Sequence, residues 1–86
     1  MSIKIVKPCQ AKPLFYVSVK ESFLAEKERG FISNLGINSQ TIYPVIGIVN
    51  DKFCIIYESK YGTKEFFEIY PKNCIEENVN EKGELV

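Results

Sequence analysis

The sequence predicts a single mainly β domain: a small barrel with an N-terminal extension and one short helix. Three observations predict it. The chain has 86 residues, of which 45% are hydrophobic, enough for one core and one domain. Residues 42–77 hold short runs of β-branched and aromatic residues about ten residues apart, with turn formers between them. Internal repeats and low-complexity segments are absent from the sequence.

Within residues 1–40 the expectation is an N-terminal extension of strands and one short helix. Ile3 to Lys7 alternates as a short strand, and Pro8 and Pro13 bracket a turn around Cys9 to Lys12. Leu14-Phe15-Tyr16-Val17-Ser18-Val19 reads as a second strand. Ser18 and Glu21 then have capping-box spacing, and Lys20 to Arg29 is rich in helix formers. Gly30 sits at the helix C′ position, with Phe31 after it as a hydrophobic clasp. A helix of two or three turns is preferred there over an irregular excursion. Residues 32–40 are dense in turn formers and read as a loop.

From Ile42 the pattern is β. Ile42 to Val49 forms a strand in which Pro44 demands an edge or a bulge and Gly47 a bend or a close backbone approach. Asn50-Asp51-Lys52 is a tight turn, and Phe53 to Glu58 is the plainest strand of the chain. Ser59-Lys60-Tyr61-Gly62 fits a type I turn with glycine last. Lys64 to Tyr70 returns, Pro71-Lys72-Asn73 breaks the strand, and Cys74 to Glu77 resumes it. Residues 78–86 are polar and expected to fray.

Ile69-Tyr70-Pro71-Lys72-Asn73-Cys74-Ile75-Glu76-Glu77 resembles the closing signature of SH3 domains, in which an apolar residue, Pro, a polar residue, Asn and Tyr precede Val and Glu. Pro71 and Asn73 match that motif directly, Ile75 matches its buried aliphatic residue and Glu76 its acid. The resemblance covers residues 42–77 and implies a small SH3-like barrel. Cys74 replaces the family's tyrosine, the chain has no Trp, and the alanine-leucine-tyrosine-aspartate-tyrosine run is missing. A groove for PxxP ligands is therefore not expected. Short Lys-, Asn- and Ile-rich chains with such cores also resemble small accessory proteins of bacteriophages and mobile elements, many of which dock on a larger host protein and inhibit or redirect it.

Composition excludes more than it assigns. The chain has no histidine, so the commonest general base and metal ligand are both missing. Cys9, Cys54 and Cys74 form no C-x-x-C, and neither catalysis, a metal site nor a disulfide framework is expected of them; Cys54 reads as an inert buried thiol and Cys74 as the more accessible one. No cofactor is expected. The longest apolar candidate, Val45 to Val49, is strand-sized, and the N-terminus lacks the apolar run of a signal peptide, so a cytoplasmic protein with no membrane role is expected.

Formal net charge is zero, but residues 1–50 carry six basic and three acidic side chains and residues 51–86 five and eight. Only Arg29 among the cations is arginine, which argues against base-specific nucleic-acid contact. Lys4, Lys7, Lys12 and Lys20, with Phe15 and Tyr16 among them, keep a non-specific RNA or DNA reading open. Both faces of the strands at 53–58 and 64–70 are largely apolar, so either residues 1–40 or another protein chain must cover the second face. The expectation is a non-enzymatic protein-binding module whose partner contacts are Tyr61, Tyr70, Pro71 and Tyr43. The alternatives are a nucleic-acid-binding barrel and a homo-oligomer, a dimer in its simplest form, that sequesters a small molecule.

Overall fold

A computed structural model describes residues 4–7, 12–25, 32 and 35–86. The elements are β1 (Lys4–Ile5), β2 (Phe15–Val19), α1 (Glu21–Leu24), β3 (Thr41–Val49), β4 (Lys52–Glu58), β5 (Lys64–Ile69), a 3-10 turn (Pro71–Asn73) and β6 (Cys74–Glu77). The fold is mainly β. Its single sheet has the order β5-β4-β3-β2-β6, with β1 parallel to the start of β3 and every other pairing antiparallel.

β3 organises the sheet. Its first half pairs with β2 and its second half with β4, and Val45 belongs to both ladders. The register slips between Val45 and Gly47, so Ile46 is an extra residue and the strand bends there. A Cβ on Gly47 would meet nothing within 4 Å, so the bend is present and the close approach is not.

Pro44 lies inside this strand and is fully buried. Val6 N donates to Ile42 O (2.8 Å) on one side of β3, and Leu14 N donates to Val45 O (2.8 Å) on the other. Successive residues therefore face opposite neighbours, and the nitrogen of Pro44 points to the side of β1 and β4. On that side β1 ends at Ile42 and β4 begins at Val45, so the missing donor leaves no ladder bond unmade.

The turns follow from local chemistry. Asn50 (φ 52°) and Asp51 (φ 64°) are both left-handed, as a type I′ hairpin turn requires, and asparagine and aspartate tolerate that region best after glycine. At the next hairpin Gly62 N donates to Ser59 O (2.9 Å) and Gly62 takes φ +83°. The Ser59 hydroxyl accepts from Tyr61 N and Thr63 N, holding the tip.

Val17, Val19, Tyr43, Val45, Ile55, Tyr57 and Ile69 supply the sheet side of the core. Phe23 of α1 and Val6, Ile32 and Ile37 pack onto it. Leu35 to Ile37 is held against the sheet through Gly36 (φ +108°), where an added Cβ would lie 3.0 Å from Glu58 O.

Three expectations are corrected. The sheet is not closed into a barrel: among the described residues β5 and β6, at opposite ends of the order, do not pair. The chain crosses between them through the 3-10 turn, with Asn73 N donating to Tyr70 O (3.0 Å). α1 is one turn with its C-cap at Ala25, Ser18 does not cap it, and residues 26–29 of the expected helix lie outside the described residues. Ser18 is held in the β2–β6 ladder, where its hydroxyl donates to Glu77 Oε2 (2.7 Å), and α1 begins after Lys20 with no side-chain cap. Gly30, Phe31 and Cys9 lie outside the described residues. Residues 78–86 form a small hairpin where fraying was expected. Asn80 Oδ1 accepts from Lys82 N and Glu84 N, and Val79 bridges Leu85.

Ile55→Ala is expected to cost about 2–5 kcal/mol, because the side chain is fully buried. Gly36→Ala should destabilise by more than about 1 kcal/mol through strain and crowding together. Gly47→Ala, with open space at its Cβ, should be near neutral. Chemical denaturation reads all three, and equal effects at the two glycines would contradict this packing.

Candidate functional site

The type I′ turn at Asn50-Asp51 sets Lys52 opposite Val49. The β4–β5 register then places Phe53 opposite Ile69, which brings Lys52 alongside Tyr70 at the end of β5. Lys52 Nζ stands 5.0 Å from the centre of the Tyr70 ring. The 3-10 turn carries Lys72 back over the same ring, with its Nζ at 5.8 Å. Tyr70 is 48% exposed, and Pro71 and Lys72 beside it are exposed. Neither lysine has a carboxylate within ion-pair distance among the described residues; the ion pairs there are Lys4–Glu58 and Lys64–Glu58. The result is an aromatic face clasped by two cations whose charge is not neutralised locally.

A similar, simpler arrangement occupies the other end of β5. Tyr61, at the hairpin tip, is 82% exposed, with Lys60 Nζ 5.6 Å from its ring centre. Leu35, Tyr57 and Glu65 line a depression beside it. A strand rises roughly 3.3 Å per residue, so β5 holds Tyr61 and Tyr70 on the order of 20 Å apart. They do not form one site.

Of the four residues expected to contact a partner, Tyr70 and Pro71 come together, Tyr61 stands apart, and Tyr43 is withdrawn. Tyr43 is 1% exposed because its side chain lies in the core beneath the segments packed on that face of the sheet. Its hydroxyl accepts from Asn38 N at 2.9 Å, and burial pushes its pKa up. It therefore presents no surface to a partner. Lys52 and Lys72 were not singled out from the sequence. Lys72 was findable, two residues beyond Tyr70, whereas Lys52 arrives only through the hairpin register.

The basic N-terminal residues gather only in part around aromatic rings. Lys4 donates to Glu58 (3.3 Å), and Phe15 packs edge-on to Phe53 with ring centres 4.9 Å apart. Lys7, Lys12, Phe15 and Tyr16 line one groove together with Val79 to Gly83.

Burial favours the protonated form of both described thiols. Cys74, expected to be accessible, packs against the core, and burial raises its pKa to about 11. Cys54 is also raised, by burial and then by the charge of Glu68. Among the described residues no group of three or more His, Cys, Asp or Glu side chains could hold a metal ion. No helix among them is long and apolar enough to cross a membrane.

Compared with models of protein families, with curated proteins and with solved structures, the chain matches none.

Cys74 and Tyr43 both titrate higher in the fold than as free groups. A raised folded pKa stabilises fully below the unfolded value and loses its effect as pH climbs to the folded value. For Cys74 that window runs from its ordinary 9.0 to about 11. Thermal melts should therefore fall across this range, and Cys74→Ala should flatten the fall. An unchanged slope in the variant would place the alkaline sensitivity elsewhere.

Proposed function

We propose that this chain is a non-enzymatic protein-binding module that docks through the Tyr70–Pro71 face on a larger host protein and inhibits or modulates it. The observation that carries the reading is exposed Tyr70 clasped by Lys52 and Lys72, neither of which is ion-paired among the described residues. Such a face suits an acidic segment with apolar side chains: carboxylates meet the two ammonium groups, and an aliphatic or proline side chain lies on the ring. Tyrosine at a rigid strand end contributes contact area at little entropic cost. Although the sheet is open, the order of three-stranded meander, 3-10 turn at Pro71–Asn73 and final strand resembles that of SH3 domains, in which ligands lie near this turn. The raised thiols and the lack of histidine favour binding over catalysis. The small size and composition support a phage-type accessory protein acting in the cytoplasm of its host.

The two unneutralised lysines beside a stacking ring also favour a second reading, non-specific nucleic-acid binding.

Affinity capture of the tagged full chain from bacterial lysate, with and without nuclease, separates the two. A stoichiometric host protein that survives nuclease is expected. Tyr70→Ala should abolish its capture while leaving the melting temperature within a few degrees of the parent. Recovery that vanishes with nuclease would transfer the site to nucleic acid, and an empty lane would remove the protein-binding reading. Tyr61→Ala should weaken capture less, since that tip lies far from the clasp.

A further inference from the structure

β5 ends the sheet, and among the described residues nothing pairs with its outer edge. Proteins normally guard such an edge with proline, a bulge, very short length or charged side chains, and β5 carries only the last, at Lys64, Glu65 and Glu68. β5 has six residues, Lys-Glu-Phe-Phe-Glu-Ile, with no proline and no register shift in its pairing to β4. Phe66 stands at its middle, 65% exposed, on the same sheet face as Lys64 and Glu68. Glu68 forms no ion pair among the described residues.

We infer that β5 pairs antiparallel with β5 of a second copy, about a two-fold axis through Phe66. Symmetry narrows the choices. Antiparallel self-pairing needs an axis normal to the sheet, so one residue must lie opposite its own copy. Centring on Glu65 or on Glu68 sets two carboxylates face to face. Centring on Phe67 sets Phe66 against Glu68 and Glu65 against Ile69. Centring on Phe66 sets Lys64 opposite the second copy's Glu68 twice, with the two Phe66 rings between these ion pairs. The stems of Glu65 lie along Phe67 on the other face. Of the four registers, this one alone matches opposite charges and covers the exposed aromatic ring. Lys64, which already lies 3.6 Å from Glu58, then sits between two carboxylates.

This inference goes beyond the docking reading and stands apart from it. Continued past β5, this register sets Tyr70 of one copy opposite Gly62 of the other, so each clasp lies beside the second copy's hairpin tip on one face of a continuous sheet.

Sedimentation velocity on the purified chain, over a concentration series, tests it without any partner. Dimer rising with concentration is expected, together with slowed amide exchange confined to residues 64–69. E68K sets like charges opposite each other and should abolish the dimer. K64E/E68K restores opposite charges and should recover it. A chain that stays monomeric throughout would overturn the inference. So would E68K dimerising as well as the parent, exchange protection falling on β6, or growth past the dimer into open polymers. Circular dichroism of each variant confirms folding, and the exchange pattern of the parent decides the matter whether or not the double variant folds.

Discussion

The constraint on which the structure depends is that β3 must serve neighbours on both sides while changing direction. Val45 is the point where this happens: it lies in the β2 ladder and the β4 ladder at once and is fully buried. The bulge immediately after it lets one strand of nine residues belong to two differently inclined halves of the sheet. Pro44 fits only because the outgoing side of the strand is between partners at that position. Moving the proline by one residue would place its ring where β2 needs a donor. The core joins Tyr43, Ile55 and Ile69 from the sheet to Phe23, Ile32 and Ile37 from the segments over it.

What was legible in the sequence was what local chemistry decides. The strands at 42–49, 53–58, 64–70 and 74–77 and the turns between them were read within a residue or two, because Asn50-Asp51 and Ser59 to Gly62 fix their own geometry. Ser18 misled because capping-box spacing is a local signal, and a ladder to Cys74–Glu77 overrides it. The 78–86 hairpin was hidden by polar composition, although Asn80 carries the side chain that makes the turn. Barrel closure is a property of the two outermost strands, and no local pattern encodes whether they meet.

The candidate site divides along the same line. Tyr61 and Tyr70 were placed at the surface by turn chemistry and by the proline that ends β5. Tyr43 has the same residue type in a similarly aromatic stretch, yet the segments packed over its face of the sheet bury it, and what covers a face is not written in one strand's sequence. The lysines over Tyr70 come from two different turns, and only the register of β4 on β5 shows that they converge. A cation facing an aromatic ring is a feature of cross-strand geometry, invisible to spacing along the chain.

The bond from Ser18 to Glu77 joins residues 59 apart, and β2 gains its second neighbour only through β6. β3, β4 and β5 can zip locally as soon as they exist, since each meets the next through a short turn. β2 must wait for the last strand. During synthesis it therefore emerges early and stays half-satisfied until residues 74–77 have left the ribosome, with the backbone groups that β6 will take still free. Nucleation thus falls to the middle of the chain, and completion of the fold is a late, long-range step that joins its two ends.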